Sequence, residues 1–278
     1  MIKSINLVIV TYQNREGLAR LLGQIHACEQ PCEINVFVAN NSPEVKIDDL
    51  CESSNVVQFD YQNLGYGKAF NATIDKIGLS DNSLYCVLND DLDIIDSSIF
   101  TTVIAGYNRL IKEGIKLGTL SVRYRCNLSE NAKTYVEYNQ MIGESYQGVD
   151  FAPAAFWVLN AQFLRDTNGF HPAFFMYAED KELSIRSSRL GFKHFELTNT
   201  EIGHCFNYPA LSFRLRVIMD SGEFIKSYLL DDSLLKTLWI FIYGFSARFL
   251  RLKLLQASSY VLGFGLFLLR IRSIQLVI

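Results

Sequence analysis

The run Asn89-Asp90-Asp91-Leu92-Asp93 sets three carboxylates within four residues, directly after an apolar stretch. Carboxylates this close repel one another unless a cation or hydrogen-bonding partner offsets the charge. Hard divalent cations prefer oxygen ligands, and Mg²⁺ is usually bound by one or two carboxylates plus substrate phosphates. Asp91 or Asp93 could therefore hold Mn²⁺ or Mg²⁺ while a nucleoside diphosphate completes the shell. The competing role is capping, because Asp favours helix N-caps and first turns. A second acidic pair, Glu179-Asp180, follows Phe174-Phe175-Met176-Tyr177-Ala178 and opens a helical pattern with Leu183, Ile185 and Leu190. Apolar and aromatic neighbours raise a carboxyl pKa, which suits a general base; an ordinary first-turn acid is the alternative.

Two further stretches bear on the same chemistry. His204, in Ile202-Gly203-His204-Cys205, can ligate a metal as a neutral imidazole or serve a structural role. Asn63-Leu64-Gly65-Tyr66-Gly67-Lys68 brings two glycines to a helix start, where backbone can approach an anion. It is neither a dinucleotide fingerprint nor a Walker A loop. His26, His171 and His194 show no metal-ligand spacing, and no Ser/His/Asp or Cys/His pattern suggests a nucleophile.

The elements that must position these residues alternate between strand and helix. Ile5–Val10, Ile34–Ala39, Val56–Phe59 and Ser83–Leu88 are apolar runs that suit buried parallel strands. Helical spacing covers Gly17–Ala27 and Lys68–Ile77 between them. This order predicts a mainly parallel sheet with helices on both faces, whose ligands bind at the carboxyl ends of the strands. The polar loops Thr11–Arg15, Asn40–Ser42 and Asn89–Asp93 all fall at that edge. Phe156–Leu159 reads as a further strand and Asp180–Leu190 as a helix.

Beyond Ser212 the pattern becomes helical, giving an expected division into residues 1–210 and 211–278. Leu234–Ala247 and Leu254–Leu269 are strongly apolar but shorter than the ~20 residues of a spanning helix. From Ser233 onward there is no Asp or Glu, whereas Lys236, Arg248, Arg251, Lys253, Arg270 and Arg272 are present. Helices lying in a membrane interface, with the cations at anionic headgroups, are expected here. A buried helical subdomain or dimer surface, or a spanning hairpin, are the other options.

The chain is 49% hydrophobic and 20% charged, enough for a sizeable core and without a sign of disorder. A net charge of -3 excludes a global field that would draw nucleic acid. The six cysteines are scattered without a CxxC, which predicts reduced thiols in a cytosolic protein. The run Ile5–Val10 is too short for a secretory h-region.

Taken in order, these pieces resemble the family 2 glycosyltransferases of GT-A fold. Val8-Ile9-Val10-Thr11-Tyr12-Gln13-Asn14-Arg15 looks like the family's first strand and nucleotide loop, and Asn40-Asn41-Ser42 like its second polar loop. Asn63 to Asn71 is similar to an element of bacterial rhamnosyltransferase-like members. Leu88-Asn89-Asp90-Asp91 sits where they carry the acidic metal motif, and Gly169 to Leu183 matches the acceptor-side element. The match runs from Ile5 to His204.

The resemblance implies an inverting transferase that moves a sugar, rhamnose first, from a dTDP or UDP donor to a saccharide acceptor. That acceptor would be lipid-linked, in bacterial surface polysaccharide synthesis, at the inner face of the cell membrane. It implies Thr11 and Asn40 in the base pocket, with Asn14, Arg15, Asn63, Gly65, Lys68 and Asn71 around the nucleotide sugar. Asp90 would lie near the ribose, and Asp91, with Asp93 as the alternative, would bind the metal. Asp180 would deprotonate the acceptor with Glu179 in support, and His204 would be a further metal or phosphate ligand. Ala39 departs from the Asp often found in the family's second loop. The rival functions are a sugar-nucleotide pyrophosphorylase, which would want a glycine-rich basic loop after the first strand, and an inactive, membrane-associated scaffold of the same fold.

Overall fold

A computed structural model describes residues 2–52, 55–126, 136–204, 212–231, 233–250 and 253–275. Four strands, β1 (Ser4–Thr11), β2 (Glu33–Asn40), β3 (Val56–Asp60) and β4 (Ser83–Asn89), form a parallel half-sheet ordered β3-β2-β1-β4. Side-chain alternation in β1 assigns its two faces. Ile5, Leu7 and Ile9 join one core with Leu18, Leu21 and Ile25 of α1 (Arg15–Ala27) and Ile99, Phe100, Val103 and Leu110 of α3 (Ile99–Lys112). Val8 and Val10 join the other, against Phe70 and Ile74 of α2 (Tyr66–Ile77), Phe163 of α4 (Ala161–Thr167) and Leu183 of α5 (Glu179–Arg189).

The remaining strands correct the expectation of a mainly parallel sheet. They are β5 (Asp93–Ile94), β6 (Leu117–Arg125), β7 (Glu137–Ile142), β8 (Tyr146–Phe151), β9 (Phe156–Asn160) and β10 (Lys193–Gly203). The order continues β4-β9-β6-β10-β8-β7, with β5 paired to β10. Here β9 runs antiparallel to β4 and β6, and β10 is parallel only to β6. The β7–β8 hairpin supplies local antiparallel pairing that needs no crossover helix. The fold is thus a mixed α/β sheet between helices, parallel in the half that carries the polar loops.

Three C-terminal helices follow, α6 (Phe213–Asp231), α7 (Leu234–Leu250) and α8 (Leu254–Gln275). Phe224, Ile225, Tyr228, Tyr260, Phe264 and Phe267 bury one another, together with Phe174 and Ala178 of the loop before α5. The helical unit therefore packs directly on the segment that leads to Glu179. The expected boundary at residue 210 lies outside the described residues. Among the described residues, no helix is long and apolar enough to cross a membrane. Cys126 is disulfide-bonded, against the expectation of reduced thiols, while Cys28, Cys32, Cys51 and Cys86 are free.

Candidate active site

At the carboxyl edge of the parallel half-sheet, β1 ends in Thr11 and β4 runs out into Asp90. The Thr11 hydroxyl donates to Asp90 Oδ2 at 2.6 Å, and Asn14 Nδ2 donates to Asp90 Oδ1 at 3.0 Å. Asn14 also caps α1, its Oδ1 accepting from the Gly17 amide at 3.1 Å. Burial raises the Asp90 pKa, and these hydrogen bonds counter it by favouring the carboxylate. Asn40 holds the neighbouring loop. Its Oδ1 accepts from the Ser42 amide at 3.1 Å, and its Nδ2 donates to Asp60 at 2.8 Å.

Asp91 points to His204, with Asp91 Oδ1 and His204 Nε2 3.8 Å apart. His204 is buried against the Tyr124 ring, and burial lowers its pKa, keeping the imidazole neutral and able to donate a lone pair. Two donors this far apart can both reach one cation at ~2.0–2.2 Å, so a divalent ion fits the pair. Asp93 is turned away to Arg20, 2.7 Å from its Nε. Among the described residues no three His, Cys, Asp or Glu side chains converge on one point. Asp91 and His204 could supply two ligands to a divalent cation, with the rest of its shell left to a substrate.

Glu179 and Asp180 open α5 and lie deep in the same edge. Asp180 Oδ2 accepts from the Ala154 amide at 3.2 Å and Oδ1 from the Lys181 amide at 2.7 Å, while the charge of Lys226 also favours its anion. Glu179 Oε2 is buried with no hydrogen-bond partner among the described residues. Burial, then the Asp180 charge, push the Glu179 pKa up to about 8. Burial raises Asp180 as well, but the Ala154 and Lys181 amides stabilise its carboxylate, whereas Glu179 is helped only by its own backbone amide. Glu179 keeps its proton at neutral pH, while the amides and the Lys226 charge favour the anion at Asp180 against its burial.

The link between the two acidic sites is a segment whose importance the sequence does not advertise, Ala152-Pro153-Ala154-Ala155-Phe156. Trp157 Nε1 donates to the Ala152 carbonyl at 3.1 Å, and Tyr124 Oη to Pro153 at 2.7 Å. Tyr66 Oη donates to Ala154 at 2.5 Å, and the Asn89 amide to Ala155 at 3.0 Å. The segment's backbone is fixed from four separate elements, and its Ala154 amide then orients Asp180. The charges of Glu179, Asp180 and Asp91 act on the buried Tyr66 hydroxyl and, after burial itself, help raise its pKa. The small residues before a strand are the one signal that could have marked the segment.

The glycine-containing loop has a packing role at its centre. Gly65 adopts a φ of +85°, and a Cβ there would lie 2.0 Å from the Phe175 carbonyl oxygen. That carbonyl accepts from the Tyr66 amide at 3.0 Å, tying the start of α2 to the loop before Glu179. Gly65→Ala is expected to destabilise the fold by at least ~1–3 kcal/mol from the positive φ alone, with the clash added. Urea unfolding of the variant measures it.

Of the other predicted residues, Asn63 sits in this loop in a left-handed conformation, and Lys68 is half-buried in the first turn of α2. Burial and the charge of Arg270 lower the Lys68 pKa. Asn71 instead brackets the backbone of Phe170, donating to its carbonyl at 2.7 Å and accepting from its amide at 3.1 Å. Arg15 pairs with Asp49 at 2.8 Å, on the far side of the Asn40 loop.

Comparison with solved structures defines the class of fold. TarS from S. aureus in complex with UDP superposes with a TM-score of 0.57 and 12% identity over 81% of this chain and 65% of that one. The mannosyltransferase PcManGT from Pyrobaculum calidifontis, bound to GDP-Man and Mn²⁺, gives 0.60 and 10% over 96% and 88%. GalNAc-T7 with UDP, GalNAc and Mn²⁺ gives 0.62 and 11% over 80% and 47%. The chain has a glycosyltransferase fold of GT-A type, and it spans 65% of the length of the TarS structure. No protein-family model matches it, and no curated protein is similar to it in sequence.

Proposed function

We propose that this chain transfers a sugar from a nucleoside-diphosphate donor to a saccharide hydroxyl. The observation that carries this is an Asp91–His204 pair and an amide-held Asp180 on one sheet edge, linked through the Ala154–Ala155 backbone. Thr11, Asn14 and Asp90 form the wall on which the nucleoside rests, held rigid by their mutual hydrogen bonds. Asp91 and His204 would hold a divalent cation, which offsets charge on the departing diphosphate by several kcal/mol. Asp180 takes the proton from the acceptor hydroxyl, whose oxygen then bonds to the anomeric carbon as the diphosphate leaves. With one base and no enzyme nucleophile the displacement is single, and the anomeric configuration inverts.

The donor is dTDP-linked rhamnose, on the similarity of Asn63–Asn71 to rhamnosyltransferase-like sequences, with UDP-linked galactose or glucose next. The acceptor is a lipid-linked saccharide of a bacterial surface polysaccharide, met at the cytoplasmic face of the membrane. Calorimetric titration with UDP, dTDP and GDP, with and without Mn²⁺, tests the donor site. Metal-dependent binding of one of them is expected, and Asp91→Ala is expected to abolish the metal dependence. Failure of all three nucleotides to bind with metal present would overturn the reading.

A further inference from the structure

The two last helices are apolar on both sides. The inner side of α7 presents Thr237, Phe241 and Gly244 to α8, where Phe241 stacks on Phe264 with ring centroids 4.2 Å apart. The outer side carries Leu235, Leu238, Trp239, Ile242 and Phe249, spaced at one helical face and all exposed. α8 repeats the division. Ala257, Tyr260, Phe264 and Phe267 are buried, whereas Leu254, Leu255, Val261, Leu262, Leu268 and Leu269 are exposed at a spacing of seven. Leu235 is 80% exposed, Trp239 67% and Leu269 79%, values that a surface meant for water rarely gathers in one place. Ser258, the polar residue within the α8 stripe, returns its hydroxyl to the Leu254 carbonyl at 3.0 Å and so presents no unmet donor.

Charge selects the occupant of this surface. The segment from Ser233 to the end contains six Lys or Arg and no acid. A second copy would bring another net positive segment and no acid from this segment to offset it, although Lys236 already pairs with Asp231 at 2.9 Å. An anionic bilayer supplies the complementary charge, and exposed Trp239 and Tyr243 combine apolar rings with polar tips suited to a headgroup boundary. We infer that the outer face of α7 and α8 lies in the plane of an anionic lipid surface, its apolar stripe among the upper acyl chains. α6 packs on the loop before the acidic pair, since a Cβ on Gly222 would touch the Tyr177 carbonyl at 2.4 Å. Lipid docking therefore fixes the height of Asp180 above the membrane.

The chain's two tryptophans make this measurable, because Trp157 is fully buried and Trp239 is exposed. The full chain is titrated with vesicles of phosphatidylcholine alone and of phosphatidylcholine with phosphatidylglycerol. A blue shift of Trp239 emission and flotation with the anionic vesicles are expected, both weakened by salt. Leu235→Ser with Leu262→Ser is expected to weaken partitioning about tenfold or more, since each removes apolar area from the contact. Circular dichroism and nucleotide binding confirm that this variant is folded. A shift that follows protein concentration without vesicles, together with a dimer by light scattering, would overturn the inference in favour of self-association. Absence of any shift or flotation would overturn it outright. Neither outcome bears on the donor site, which nucleotide titration reads separately.

Discussion

Asp180→Asn is expected to lower transferase turnover by ~10²–10⁴-fold, the usual worth of a positioned general base, while nucleotide binding stays within about twofold. The substitution keeps the shape and removes the ability to take a proton. The Ala154 and Lys181 amides donate to different carboxylate oxygens, so only one of them can meet the amide oxygen of Asn and the other loses its acceptor. Release of nucleoside diphosphate in the presence of acceptor measures the turnover, and titration calorimetry measures the binding. Equal losses in both would mean that Asp180 belongs to the donor pocket instead.

The acidic neighbour gives this result a pH signature. Glu179, raised from 4.5 to about 8, holds its proton in the fold where the unfolded chain has lost it. The folded state then binds more protons between those values, so this group's contribution to stability is intact below about 4.5 and declines as pH rises towards 8. Glu179→Gln is expected to remove that decline and to make the protein more stable than wild type at pH 8. The Glu179 carboxyl is already neutral well below pH 8, so the acidic limb of the pH–rate profile should stay in place. Urea unfolding across pH 5–8 and the rate profile are independent checks.

The parts of this molecule that could be read from its sequence are those whose partners are near in the chain or similar in kind. β1, β2 and β4 are buried on both faces, so their residues must be apolar and the runs stand out. Glu179 and Asp180 were visible because burial and charge are set by adjacent residues. α3 reads Ile-Phe-Thr-Thr-Val-Ile, a β-branched run that argues for a strand, and packing of Phe100, Val103 and Leu110 on the sheet overrides that preference. β10 was obscured differently. Its buried Glu196 breaks an apolar pattern and is explained by Tyr138 on the β7–β8 hairpin, whose hydroxyl donates to it at 2.8 Å, and by Arg123 of β6, 3.9 Å away. The Ala152–Phe156 segment is the extreme case. Its own residues are small, and the donors that fix it, Tyr66, Asn89, Tyr124 and Trp157, come from four elements.

The largest stability effect is expected at Arg186, one turn after Glu182 in α5. Glu182 is buried, and Arg186 Nε donates to its Oε1 at 2.6 Å. The same guanidinium donates to the carbonyls of Thr167 at 2.7 Å and Gly169 at 2.9 Å. Asn168 and Gly169 both have positive φ, so this turn has an unusual backbone that needs an outside clasp. Arg186→Ala leaves a carboxyl without its counter-charge in the core and two carbonyls without donors, at a cost of ~3–5 kcal/mol. Burial already raises the Glu182 pKa, and loss of the arginine would raise it further, so proton uptake on folding should extend to higher pH in the variant than in wild type. Adding Glu182→Gln removes the stranded charge but restores neither carbonyl, so the double variant should recover only part of the loss. Because the turn feeds Phe170, which Asn71 brackets, loosening it should also slow turnover without changing nucleotide affinity. Unfolding free energies of the single and double variants, compared with their turnover, separate support of the base from support of the donor pocket.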